Sequence, residues 1–155
     1  MPFISEKIPT FEEFANASIE DIYGDEIIDA YERKVTSFES IVLINRGNNK
    51  FDVQKLPPLA QSIPILTSDV YDINNDGFED IVVAGNIYNT EVETPRLDNQ
   101  FALVLISDKN SNYNVIGPDK SGLYLSGNTK SIKIIGNDNP KLLVANNNSE
   151  LEVFE

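Results

Sequence analysis

The chain has 155 residues, 41% of them hydrophobic and 9% aromatic, which is enough apolar material to bury one core and too much for a disordered polymer. Twenty-five acidic residues against 12 basic ones leave a formal charge of -13, so the average surface repels phosphate backbones and anionic headgroups, and nucleic acid and membranes are poor partners. Cysteine and histidine are both absent, which excludes disulfides, thiolate nucleophiles, zinc–thiolate sites and imidazole chemistry; catalysis would fall to carboxylates, lysine or tyrosine.

No apolar run approaches the length of about 18 residues that spans a bilayer, so no membrane insertion is expected. Met1-Pro2-Phe3-Ile4-Ser5-Glu6 carries neither a basic n-region nor an apolar h-region. The chain is therefore expected to lack a secretory signal and, if the native protein is exported, to be a piece of it.

Residues 1–36 carry helical signals. Thr10-Phe11-Glu12-Glu13 has the capping-box pattern, and Ser18-Ile19-Glu20-Asp21 repeats it more weakly. Apolar Phe11, Phe14, Ala15, Ile19 and Ile22 form a helical stripe with a break near Asn16. These features predict short helices over 10–17 and 18–23, and a third over 25–33.

From Phe38 onward the period changes. Short runs rich in Val, Ile, Leu, Phe and Tyr alternate with Asn, Gly, Asp, Ser and Pro clusters, predicting strands at 38–45, 50–56, 63–70, 80–86, 101–107, 112–116, 131–135, 141–146 and 150–154. The runs repeat. Ser40-Ile41-Val42-Leu43-Ile44-Asn45, a turn and Phe51-Asp52-Val53 align without gaps on Ala102-Leu103-Val104-Leu105-Ile106-Ser107, a turn and Tyr113-Asn114-Val115. Ile81-Val82-Val83-Ala84-Gly85-Asn86 matches Leu142-Leu143-Val144-Ala145-Asn146-Asn147. An offset of about 60 residues carrying four strands belongs with the propeller-type repeat architectures. The expected fold is all-β: a partial β-propeller of about two four-stranded antiparallel blades over 37–155, behind the helical segment 1–36. Residues 63–116 would form the complete blade, 38–56 the last two strands of the one before and 131–154 the first three of the one after. About two blades cannot close a ring, so the open edges would need a partner, including a second copy of the chain.

Between two of these strands lies Asp72-Ile73-Asn74-Asn75-Asp76-Gly77-Phe78-Glu79-Asp80, with side-chain oxygens at positions 1, 3, 5 and 9 and a permissive glycine at position 6. Ca2+, a hard cation taking six to eight oxygens, would find five in Asp72, Asn74, Asp76, Asp80 and the Phe78 carbonyl, with water completing its shell. An EF-hand needs a bidentate Glu at position 12 and flanking helices; Val83 stands there, inside an apolar run, and the same absence argues against a dockerin-like loop. An Asn/Asp/Gly-rich turn without metal is the plainer alternative, but three carboxylates converging on one bend would repel each other.

Asp72-x-Asn74-x-Asp76-Gly77-x-x-Asp80, followed by Ile81-Val82-Val83-Ala84-Gly85, resembles the calcium loop of FG-GAP/VCBS repeats, the blades of integrin-α-like β-propellers. Phe11-Glu12-Glu13-Phe14-Ala15, the Asn45–Phe51 hairpin, Leu56-Pro57-Pro58 and Gly85-Asn86-Ile87-Tyr88 extend the likeness to the C-terminal portion of bacterial VCBS-repeat proteins. The resemblance implies a structural Ca2+ held by the side chains of Asp72, Asn74, Asp76 and Asp80 and the backbone of Phe78. It also implies a secreted, periplasmic or cell-surface setting, and a non-catalytic role in adhesion, in recognition of a protein or glycan partner, or as a scaffold. At the second copy, Ile135-Gly136-Asn137-Asp138-Asn139-Pro140-Lys141, a lysine replaces the last acid and the spacing is lost, so no calcium is expected. There a plain exposed turn is expected, with a Lys141–Asp138 pair as the alternative.

Two features stay open. Asn86–Gln100 is a long polar connection, expected to be a solvated excursion held by Arg96 pairing with Asp98 or Glu93, although such loops often carry binding residues. Tyr88 and Tyr124 are expected as half-buried strand residues. The rival function is a carboxylate-based, glycan-active enzyme or an accessory domain of one, drawing on Asp69, Glu79, Glu91 and Glu93, among which no spacing selects a pair.

Overall fold

Two helix starts in this chain are written in their capping residues, and both boxes close. In the computed structural model, which describes residues 2–110 and 112–155, Thr10 caps the helix Phe11–Asn16 and Ser18 caps Ile19–Tyr23 (α2 and α3, after α1 at Pro2–Lys7). The Thr10 hydroxyl accepts from Glu13 N at 3.2 Å, and Glu13 Oε2 accepts from Thr10 N at 3.2 Å. Ser18 and Asp21 make the same exchange, and those bonds hold the Asp21 carboxyl below its usual value. Lys7 Nζ donates to the Ile22 carbonyl at 2.8 Å, and the Phe3 and Tyr23 rings lie 6.2 Å apart. The helix expected over 25–33 is only a 3-10 turn, Gly24–Ile27. Ile28 and Tyr31 beyond it are exposed, and a short helix with no packed face has little to stabilise it. These elements belong to the unit Met1–Phe38.

The unit Glu39–Glu155 is built of three antiparallel sheets. The first pairs β1 (Ile41–Asn45) with β2 (Phe51–Lys55). The second is a meander of β3 (Thr67–Tyr71), β4 (Asp80–Ala84), β5 (Leu103–Ser107) and β6 (Tyr113–Ile116). The third joins β7 (Thr129–Ile135), β8 (Lys141–Asn146) and β9 (Glu152–Phe154). The all-β reading of this unit holds at this level. The repeat seen in the sequence is a repeat of register: Leu43 faces Val53 in the first hairpin as Leu105 faces Val115 in the second. Two short helices begin at prolines, α4 (Pro58–Gln61) after Pro57 and α5 (Pro118–Ser121) after Gly117. Pro pre-sets φ at a first helical turn, where its missing N–H costs nothing.

Alternation sorts the core into two layers, one on each side of the second sheet. Val82, Ala84, Ala102 and Val104 pack with Ile132, Leu142 and Val144 of the third sheet, while Val83, Leu103 and Leu105 pack with Leu56, Ala60, Ile63 and Val42. β4, buried on both faces, is therefore apolar without interruption after Asp80. The second and third sheets also meet along their first strands. Side chains of β3 at every second residue serve the chain around β7: Thr67 Oγ1 accepts from Ile132 N at 3.1 Å, Asp69 from Ile134 N and from Lys133 Nζ at 2.7 Å, and Tyr71 OH donates to the Asn137 carbonyl at 3.0 Å. Contacts that advance together along both strands mean that β3 and β7 run in the same sense.

Candidate functional site

Asp72 and Asp76 in the connection between β3 and β4, and Asp80 at the start of β4, each accept two N–H bonds. Asp72 accepts from Asp76 N at 3.0 Å and Gly77 N at 2.8 Å. Asp76 accepts from Phe78 N at 2.9 Å and Asn74 Nδ2 at 2.9 Å. Asp80 accepts from Ile73 N at 3.0 Å and Ser107 N at 2.8 Å. Left-handed Asn75 (φ 58°) and Gly77 (φ 88°) wind the bend tightly enough for these bonds.

The bend brings some of the predicted residues together and separates others. Asp72 Oδ1 and Asn74 Oδ1 both lie 3.0 Å from Asp76 N, which gathers Asp72, Asn74 and Asp76 around one amide. Asp80 opens β4 opposite Tyr71, is fully buried, and spends both oxygens tying the bend to β5. Phe78 sits on the exposed outer part of the bend. Among the described residues no three acidic side chains come together as a group for a metal ion. Within the bend the N–H donors offset the negative charge of each aspartate in turn. As a donor set, hard oxygens from carboxylates, an amide and a backbone carbonyl suit Ca2+ in kind. Carboxylate oxygens that accept one N–H keep a second lone pair.

At the second copy, residues 136–140 make a shorter connection between β7 and β8, with Gly136 left-handed at φ 84°. Lys141 pairs with Glu155 rather than Asp138. Asp69, a candidate acid of the enzyme reading, is held by its neighbours: burial works to raise its carboxyl, but the bonds from Lys133, Ile134 and Val70 keep it below the ordinary value.

The Asn86–Gln100 connection is the expected solvated excursion, exposed from residue 91 to residue 97, and it is also bridged near its base. Ile87 and Leu97 bridge it, with N–H to carbonyl distances of 2.9 and 2.8 Å. Arg96 pairs with Asp98 at 2.8 Å, as expected, and its guanidinium also lies 4.6 Å from the centre of the Tyr88 ring. Tyr88 OH lies 3.2 Å from both Asp98 Oδ1 and the Ser126 carbonyl; burial, then the Asp98 charge, raises its pKa. Tyr88 is half-buried but outside the strands, and Tyr124 is 60% exposed, against expectation.

At the root of this connection lies a buried polar network that sequence reasoning missed. Asn86, 1% exposed, donates to the Gly127 carbonyl at 2.7 Å and accepts from Asn99 N at 3.0 Å, while Lys130 Nζ donates to its carbonyl at 2.8 Å. Gly127 leaves no room for a side chain, since a Cβ there would lie 2.4 Å from Asn146. Spread over three separated segments, these residues read as ordinary polar turns in the sequence. No helix among the described residues is long and apolar enough to cross a membrane. Comparison of the chain with family models, with curated proteins and with solved structures gives no match.

Proposed function

We propose that the chain is a calcium-binding, non-catalytic segment of a β-propeller from a secreted or surface protein, serving protein or glycan recognition or acting as a scaffold. The observation that carries this reading is the Asp72–Asp80 bend: Asp72, Asn74 and Asp76 crowd their oxygens around one main-chain amide, at the point where a buried Asp80 anchors the bend to the sheet. Ca2+ held by Asp72, Asn74, Asp76, Asp80 and the Phe78 carbonyl would stiffen the bend and so position the loops beside it. The propeller reading is supported by three sheets that follow one another in chain order and by first strands β3 and β7 that lie side by side in the same sense. The first sheet turns Ile41, Leu43, Phe51 and Val53 outward on one face, and open sheets of this kind are expected to self-associate.

The carboxylate-enzyme reading has less support. Asp69 is lowered and committed to Lys133, whereas a general acid needs a carboxyl raised toward neutrality.

Thermal unfolding with calcium and with chelator tests the proposal. Calcium should raise the melting temperature, with half-saturation on the order of 10⁻⁴ to 10⁻³ M. Asp76→Ala should remove that response while leaving the chelated melt close to wild type, because Asp76 is exposed and its bonds are local. Superimposable wild-type curves with metal and with chelator would reject the calcium site.

A further inference from the structure

The first sheet leaves one face bare, and the internal repeat of the chain says what such a face meets. Ile41, Leu43, Phe51 and Val53 share this face, since Leu43 stands opposite Val53 and Asn45 opposite Phe51, and they are between 42% and 65% exposed. One repeat later in the sequence their counterparts are Leu103, Leu105, Tyr113 and Val115. All four of those lie in one core layer of the second sheet, packed with Val42 of the first sheet and with Leu56 and Ala60 that follow it. The bare face is therefore of the kind that this chain covers with another of its own sheets.

The third sheet carries the matching half. Ile81-Val82-Val83-Ala84 of β4 recurs as Leu142-Leu143-Val144-Ala145 of β8, and Val153 of β9 stands opposite Leu143 as Val104 of β5 stands opposite Val82. Val82, Ala84 and Val104 are side chains with which the second sheet meets the third. Their counterparts Leu143, Ala145 and Val153 alternate with the core residues Leu142 and Val144 and so face away from the second sheet. Val153 is 51% exposed, Ala145 is exposed and Leu143 is half-buried. One unmet face thus lies on the first sheet and its complement on the third. A single copy cannot bring them together, because the first and third sheets pack against opposite sides of the second.

We propose that the bare face of the first sheet binds the outer face of the third sheet of a second copy of this chain, repeating between chains the contact that the chain makes between its own sheets. Leu43 and Val53 would then pack against Leu143 and Val153 of the other copy, as side chains of facing sheets do in each core layer within the chain. Two copies joined at both ends bring together six sheets, three from each. That falls within the range of about four to eight blades around which propellers close, so the contact closes on a pair instead of running on into a fibre. The inference rests on the reading of the sheets as successive propeller blades, and its residues are separate from those of the calcium bend.

The test is the mass of the whole chain in solution, by sedimentation equilibrium across the micromolar range, in saturating calcium and again in chelator. Wild type should reach the mass of two copies. Leu43→Glu spoils one half of the contact and Val153→Glu the other, so each variant alone should be monomeric. Mixed in equal amounts they should pair again, because the first variant keeps a sound third sheet and the second a sound first sheet. Phe51→Glu and Ala145→Glu repeat the experiment at independent positions, and since all four residues are exposed the variants should keep the circular dichroism of wild type. The proposal is overturned if wild type has any mass other than that of a pair, or if the mixture is no more associated than its parts. It is equally overturned if Val153→Glu still pairs while Leu43→Glu does not, because two first sheets then face each other. A monomer whose melting temperature rises with calcium removes this inference and leaves the calcium reading standing, and a pair whose melting is indifferent to calcium does the reverse.

Discussion

Asp72, Asp76 and Asp80 stand in one short motif, yet they do different work. Asp76 is exposed and its partners lie within the bend, so removing it changes a local turn. Asp80 is buried and reaches from β4 to the backbone of β5 and of the bend, so Asp80→Ala strands two N–H groups, one of them buried, and opens a void. Its loss should cost about 2–4 kcal/mol in urea unfolding, measured in chelator so that metal plays no part. A cost as small as that of Asp76→Ala would mean that the bend is not anchored through Asp80. The spacing of the motif was plain in the sequence. The division of labour was not, because Ser107, the partner that fixes Asp80, lies in another strand.

At the scale of elements, the contact between the second and third sheets is carried partly by charge. Asp69 on β3 holds Lys133 and the backbone of β7, and its folded pKa is depressed, burial being outweighed by those bonds. A depressed carboxyl stabilises the fold above its unfolded value near 3.8, and that contribution disappears as pH falls through the lower folded value. Acid titration of stability should therefore show a decline below about pH 4 that is shallower in Asp69→Asn, which has no carboxyl to protonate. Equal slopes in both proteins would remove Asp69 from the sheet contact.

The same strands show how far the sequence could be read. The hairpin repeat was legible because the runs 40–45 and 51–53 align without gaps on 102–107 and 113–115, and α2 and α3 because Thr10 and Ser18 announce them. The run 63–70 starts late, at Thr67, because Ile63 belongs to the core layer under α4, whose Pro57-Pro58 start reads as a break rather than a beginning. The β3–β7 contact escaped because Thr67 and Ile132 are distant in the chain, and a threonine that accepts from another strand looks like any β-branched residue.

For the whole molecule, a formal charge of -13 means that folding gathers like charges, and a divalent cation at any acidic bend relieves part of that cost. The bend between β3 and β4 is where that relief would also lock structure, since Asp80 ties it to a strand buried on both faces. Calcium occupancy at this one place decides whether the chain is a metal-stabilised module or a set of sheets held by packing and by the bonds between β3 and β7. The most direct measurement is a calcium titration followed through the amide signals of Asp76, Gly77 and Phe78, whose N–H groups donate to the candidate ligands. A saturable, one-site shift of all three, with a midpoint on the order of 10⁻⁴ to 10⁻³ M, is the predicted result. Three signals that stay in place well beyond millimolar calcium would contradict it.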